Sequence, residues 1–394
     1  MHIGIIGTRG IPNNYGGFEQ CAEFLAKGLV ERGFQVSVYN SHSHPYQQKT
    51  WNGVNIIHCY DPEDKVGTMG QFIYDFNCIR DARKRYFDII LQLGYTSSSV
   101  WGSLLPRKSI VTTNMDGLEW KRSKFSKPVQ RFLLEGERLA VVFSDFLISD
   151  SIGIQNYLKD KYNKDSTFIA YGAYDFNAPD PTILSTYNLK PYQYNMLIAR
   201  LEPENSIEMI LDGVRDANEI KPFIVVGKHE TKYGEYLKNK FEDYPLIRFV
   251  GGIYNLQALN NLRYFSNVYF HGHTVGGTNP SLLEAMASHS LICANNNPFN
   301  KYILEEDALY FSSAADVSSV LQTTLKEQGL YNRMIQENVR KIREIYNWDQ
   351  IVNEYAEHFN EIYATRKSLN KSISANVATH AAPVEIDEEQ LTMG

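Results

Sequence analysis

Cysteine is scarce in this chain: 394 residues contain four, Cys21, Cys59, Cys78 and Cys293, with no CxxC spacing. That argues against a disulfide scaffold or a thiolate metal site and predicts reduced thiols of the cytosol. Long apolar runs are missing too. No uninterrupted stretch approaches the ~18–20 residues a membrane span requires, so a soluble or peripheral protein is expected. Positive charge is not in excess, with 39 Lys and Arg against 45 Asp and Glu for a net charge of -6, which argues against general nucleic-acid binding. The opening MHIGIIG has no charged leader before an apolar segment, so no export signal and a cytoplasmic location are expected. No His/Asp/Glu grouping has metal-ligand spacing, and no metal or other cofactor is predicted. Gly4, Gly7 and Gly10 do not fit GxGxxG, and Tyr39–Asn40 offers no carboxylate for a ribose, which removes a nicotinamide site.

What is present is an alternation of strand and helix in two similar halves. A length of 394 residues exceeds one ordinary core, and a hydrophobic fraction of 43% supports globular packing. The first half opens with a strand at His2–Ile6 and a glycine-rich turn. A helix follows, with Phe18, Cys21, Ala22, Leu25 and Leu29 on one face, then Gly33 and a strand at Gln35–Tyr39. The second half repeats the unit: a strand at Asn195–Ala199, a helix with Ile207, Ile210, Leu211 and Val214 on one face, and a strand at Phe223–Val226. Further strands are predicted at 88–93, 109–113, 146–149, 167–170, 247–250, 268–270 and 291–294. The fold class is therefore α/β, with parallel-sheet units in both halves; the family resemblance given below implies two Rossmann-like, doubly wound parallel-sheet domains facing a cleft. The expected boundaries are residues 1–178 for the first domain, 179–193 for a linker and 194–347 for the second domain. A terminal helix over 348–365 and a disordered tail over 366–394 complete the chain.

The most informative stretch is GHTVGGTNPSLLEAMA, Gly272–Ala287. Gly276 and Gly277 permit backbone conformations and close approaches that a Cβ forbids, and Asn279 with Pro280 forms an N-cap and first helical position. The amides from Gly276 through Thr278 and Asn279 form a candidate phosphate cradle. Glu284 lies one turn further on, where its carboxylate can accept from two sugar hydroxyls, so the run describes a nucleotide-sugar site. Gly16 and Gly17 place further amides beside the donor or acceptor. Arg200 follows a buried strand at its carboxyl end, and Lys228 is similarly placed; both are candidates to neutralise a diphosphate as its bond to the sugar breaks.

Taken together, IPNNYGGFEQ, ERGFQV, ARLEPENS (199–206) and PSLLEAMA resemble the motifs of GT-B glycosyltransferases, in particular the large retaining family four, across roughly residues 1–365. The chain departs from that pattern at three places. Gly276 stands where relatives carry a glutamate that touches donor-sugar hydroxyls, Asn205 where they carry a phosphate-binding lysine, and Met115 where many carry a histidine. GGTNPSLLEAM, ARLEPEN and DGLEWKR together resemble the narrower group of bacterial capsule and O-antigen rhamnosyltransferases. The resemblance implies that the second domain holds a nucleotide diphosphate sugar and the first presents the acceptor. Met115 facing a methyl group would suit a 6-deoxy donor, dTDP-rhamnose. Asp116 and Glu119 are then the acceptor-side candidates, with Arg200 on the leaving group, transfer with retention and no required metal.

The segment Trp120–Leu139 gathers Trp120, Lys121, Arg122 and Lys124 into a basic patch, expected to meet anionic lipid or the pyrophosphate of an undecaprenyl-linked saccharide acceptor at the inner face of the cytoplasmic membrane. Three alternatives stay open: transfer from another UDP- or GDP-hexose, a sugar-nucleotide epimerase of the same fold, and an inactive sugar-binding subunit, which Gly276 and Asn205 would explain.

Overall fold

The computed structural model describes residues 1–380 apart from 15, 123–124, 219, 275, 325 and 327–328, with side chains described as far as residue 368. Its strands are β1 (His2–Ile6), β2 (Gln35–Ser41), β3 (Thr50–Trp51), β4 (Val54–Cys59), β5 (Ile89–Leu93), β6 (Ile110–Asn114), β7 (Phe146–Ser149) and β8 (Thr167–Phe168) in the first half. The second half has β9 (Asn195–Ile198), β10 (Phe223–Val226), β11 (Ile247–Gly251), β12 (Tyr269–His271), β13 (Ile292–Asn295) and β14 (Leu309–Phe311). Two sheets result, in the orders β3-β4-β2-β1-β5-β6-β7-β8 and β11-β10-β9-β12-β13-β14. Every strand pair is parallel except β3 with β4. The central strands are apolar on both faces because helices cover both. Ile3, Ile5 and Ile6 are all buried, and the face of Gly4 is closed by Phe87 and Ile90.

Strand order decides where a ligand can sit. In the first sheet the winding reverses between β1 and β5, in the second between β9 and β12. At such a reversal the loops leave in opposite directions and open a crevice at the carboxyl ends of the strands. The glycine-rich turn after β1, the Arg200 loop after β9 and the Gly272–Asn279 loop after β12 all lie at these crevices.

Three strands were not anticipated, and the terminal helix runs further than expected. β3 and β4 form a hairpin around Asn52 and Gly53, whose φ angles of 46° and 82° fit a turn that requires positive φ at both positions. β14 extends the second sheet by three residues. The terminal helix spans Trp348–His380, so the expected tail from residue 366 is helical up to His380; residues 381–394 lie outside the described residues. No Pro or Gly interrupts 348–380, and extending an existing helix is far easier than starting one.

That terminal helix lies on the first domain. Trp348, Ile351, Val352, Tyr355, Ala356, Phe359 and Ile362 recur at helical spacing and are all buried. Trp348 packs against Phe24 and Tyr171 at centroid distances of 4.9 Å each, and Val352 fills the space left by Gly28 on the Gly17–Glu31 helix. Polar contacts set its register: Asn114 donates to the Tyr355 hydroxyl at 3.0 Å, while His358 bridges Thr112 at 2.9 Å and Thr167 at 3.1 Å. Where the chain crosses between halves, Ala173 pairs with Asn347. Trp348→Ala is expected to lower unfolding free energy by about 3–5 kcal/mol, the range for truncating a large buried aromatic. Urea denaturation checks this, and a loss below ~1 kcal/mol would contradict the packing role.

Candidate functional site

The two glycine-bearing loops face each other across the cleft. Asn279 caps the helix Pro280–Ala287, its side chain accepting from the Ser281 amide, and Glu284 follows on the next turn. The opposing helix, Gly17–Glu31, starts after Gly16, an extended N-cap that makes no side-chain cap bond. A Cβ built on Gly17 would come within 3.4 Å of Pro280. Both helices follow strands at the crevice edge, so both positive helix ends point into the cleft. The turn before the first helix is stiffened by buried Glu19, which accepts from the Arg9 amide at 2.9 Å and the Thr8 hydroxyl at 3.4 Å.

Glu284 joins the two halves. Its Oε2 lies 2.6 Å from the guanidinium of Arg263, which is almost fully buried, and its Oε1 accepts from Gln20 of the first domain at 3.0 Å. The ion pair fixes the carboxylate's orientation, and its unused lone pairs can accept sugar hydroxyls. Neither Gln20 nor Arg263 was anticipated from sequence.

Arg200 is exposed at the end of β9, with its carbonyl accepting from Asn205 Nδ2 at 2.7 Å. Asn205 is buried in that turn and is therefore a loop brace. The β9 loop is tied to the β12 loop, since Thr274 donates its amide and hydroxyl to the Glu204 carbonyl at 3.2 and 2.8 Å. Lys228 is exposed beyond β10, the strand beside β9.

On the opposite wall the chain turns sharply after β6, Asp116 adopting φ of 46° with its amide on the Asn114 side-chain oxygen at 2.9 Å. Burial, then the neighbouring Glu119 carboxylate, pushes the Asp116 carboxyl up to about 6, against the pull of Arg122 and Arg200. Glu119 accepts from Arg122 Nε at 2.7 Å, and Arg122 also reaches Glu204 of the second domain at 3.7 Å. His273 is stacked on His271 at 4.4 Å; burial, then Arg200 and Arg122, push His273 down to about 3, so it is neutral.

Several expectations change. The turn at Asp116 sends Met115 into a cluster with Tyr95, Leu118, Leu147 and Ile154, so its thioether packs in the first-domain core. The basic patch is also dispersed. Arg122 turns into the cleft, and the Trp120 indole donates to buried Glu137 at 3.0 Å. Glu137 also accepts from Tyr157, Tyr162 and Lys161 at 2.7, 2.7 and 3.0 Å, a demand for donors that draws the tryptophan inward. Lys121 remains exposed over the Trp120 ring, and Lys124 lies outside the described residues. The Thr278 amide is not an open phosphate donor in this conformation: it donates to Asp150 Oδ2 at 3.0 Å, and the Thr278 hydroxyl donates to the Asp150 carbonyl. Asp150 was missed, although a carboxylate immediately after a buried strand, ISD at 148–150, is a detectable signal. Among the described residues, no cluster of three or more His, Cys, Asp or Glu side chains could hold a metal ion, and no helix is long and apolar enough to cross a membrane.

Comparison with known proteins agrees with this architecture. A family model described as a domain of unknown function (DUF1972) matches residues 105–174, the segment that carries Asp116, Glu119 and Asp150. No curated protein matches in sequence. Among solved structures, a sucrose-phosphate synthase from Thermosynechococcus elongatus is similar with a TM-score of 0.76 at 17% identity, covering 92% of this chain and 99% of that one. HepE from Anabaena, in complex with UDP and glucose, gives 0.70 at 14% identity over 91% and 99%. A trehalose 6-phosphate synthase from Burkholderia multivorans gives 0.66 at 11% identity over 93% and 99%. The fold is the two-domain GT-B architecture.

The electrostatics of the wall are open to measurement. In carboxyl ¹³C NMR the Asp116 resonance is expected to titrate near 6, lower in Glu119→Gln, where a repelling charge is gone, and higher in Arg122→Gln, where an attracting one is gone. An Asp116 titration at the ordinary aspartate value, unmoved by either change, would contradict this geometry.

Proposed function

We propose that the protein is a glycosyltransferase that moves a sugar from a nucleoside diphosphate to an acceptor hydroxyl, with retention. The observation that carries it is the convergence of both sheet-reversal crevices on one cleft, where Glu284 is bridged to Gln20 across the halves. HepE, which shares the fold, has been seen with UDP and with glucose. Here Glu284 would take the ribose hydroxyls. Arg200, the end of the Pro280–Ala287 helix and Lys228 would take the diphosphate. Gly276, whose Cβ direction is empty to 4 Å, leaves room for the sugar.

In the transfer, the bond between the anomeric carbon and the diphosphate oxygen breaks as the acceptor oxygen bonds to that carbon from the same face. The departing phosphate oxygen takes the acceptor proton, Arg200 stabilises the charge left on the diphosphate, and Asp116 holds the acceptor hydroxyl with Glu119 behind it. Protein groups hold the diphosphate and no metal is required. The donor proposed is dTDP-rhamnose, which now rests on the motif resemblance, Met115 being in the core. The acceptor proposed is an undecaprenyl-linked saccharide at the inner face of the cytoplasmic membrane. Exposed Val66, Met69, Ile73, Val129 and Phe132 support membrane contact, as do exposed Lys65, Lys127 and Arg131 on the same two stretches of chain, 63–82 and 127–143; Phe72 meets Phe132 between them at 5.7 Å.

The test is release of nucleoside diphosphate from dTDP-rhamnose, UDP-glucose and GDP-mannose, with and without a lipid-linked saccharide. Acceptor-dependent release is expected, with Glu284→Gln raising the donor KM about tenfold or more through loss of a charge-assisted hydrogen bond. No release from any donor, or a Glu284→Gln enzyme with unchanged kinetics, would overturn the proposal.

A further inference from the structure

Asp150 is buried at the carboxyl end of β7 in the first domain, yet its polar contacts lie in the second, on a loop 128 residues away in sequence. Oδ2 takes the Thr278 amide and the Asp150 carbonyl takes the Thr278 hydroxyl. Oδ1 is buried and accepts no hydrogen bond. A carboxylate oxygen withdrawn from water without a donor is costly, more so beside a second carboxylate. Asp116 is that second group: burial first, and then Asp116, hold the Asp150 carboxyl well above the usual carboxylate range.

The loop facing Asp150 has no functional side chain of its own over two residues. A Cβ on Gly277 would sit 1.9 Å from Asp150 Oδ1, so only glycine lets the carboxylate in. Next to it, Gly276 holds φ of 142° and its Cβ direction is open to 4 Å. The carboxyl group therefore enters from the first domain against Gly277, one residue along the loop from the open side of Gly276. A hydroxyl-rich ligand in that space supplies what Oδ1 lacks, and Asp150 reaches it only while the Thr278 bonds hold the halves together.

We propose that Asp150 is a donor-sugar contact contributed by the opposite domain: Oδ1 accepts a hydrogen bond from a hydroxyl of the sugar, while the Thr278 bonds make that contact dependent on closure. This rests on the nucleotide-sugar function proposed above and extends it by naming the group that recognises the sugar as distinct from the nucleotide. It also explains how the site can do without a carboxylate on its glycine loop.

The experiment compares calorimetric binding of UDP, dTDP and GDP with that of UDP-glucose, dTDP-rhamnose and GDP-mannose to the full chain and to Asp150→Ala and Asp150→Asn. Thermal unfolding of each variant is followed in parallel. For the nucleotide that binds, Asp150→Ala is expected to weaken the sugar conjugate about tenfold or more and to leave the free diphosphate within about twofold. Asp150→Asn, which keeps an acceptor for the Thr278 amide, is expected to fold like the parent and show a smaller loss of the same kind. Equal weakening of diphosphate and conjugate, or no change in either, would overturn the role of Asp150 while leaving the donor site standing. No binding of any diphosphate by the parent chain would overturn both.

Discussion

The structure depends on an approach of main chain to main chain between the two halves. A Cβ on Gly117 would lie 2.9 Å from the Gly276 Cα, and one on Gly277 would collide with the Asp150 carboxyl. Two glycines, Gly117 on the first domain and Gly277 on the second, thus remove the side chains that would hold the walls apart. The burial of Asp150 and the partial burial of Asp116 follow from that closeness, as does the reach of Arg122 to Glu204. With the walls further apart, Asp150 would lose Thr278, and Arg122 would retain only Glu119.

Closeness has an electrostatic consequence suited to an anionic ligand. Asp116, Glu119, Asp150 and Glu204 outnumber Arg122 and Arg200 in the cleft, a poor environment for a diphosphate if every carboxyl were ionised. Burial, with repulsion from Glu119 on Asp116 and from Asp116 on Asp150, raises both carboxyls above the usual carboxylate range. Glu119 and Glu204 face Arg122, which leaves the exposed Arg200 available to the ligand. The terminal helix steadies the floor beneath, since Asn114, which positions the Asp116 amide, also donates to Tyr355 of that helix.

The fold was largely legible because its signals are local and periodic: β1, β7 and β10 lie where the apolar runs place them, and Asn279 and Pro280 begin their helix as their chemistry dictates. The β3–β4 hairpin carried a readable sign in Asn52-Gly53, but its two-residue strand β3 is too short to show an alternation. The site was legible only where one segment contains it. Glu284 and Arg200 sit on motifs, whereas Gln20 and Arg263 acquire their places from contacts that no pattern encodes, and Asp150, though it follows a buried strand, meets Thr278 only through the fold. The directions of Met115 and Arg122 were hidden for a related reason: Asp116, a positive-φ residue between Asn114 and Gly117, turns the chain between the core and the cleft. Trp120 was drawn off the surface by Glu137, a residue seventeen positions away.

The claim at the centre of this account is that a nucleoside diphosphate seats between the β9 and β12 loops and draws the glycine walls together. Amide hydrogen exchange with and without UDP or dTDP addresses it directly. Slower exchange is predicted over 199–206 and 276–284, and across the cleft over 116–119, with the outer strands of both sheets unchanged. Protection confined to other segments, or no protection at saturating nucleotide, would contradict it.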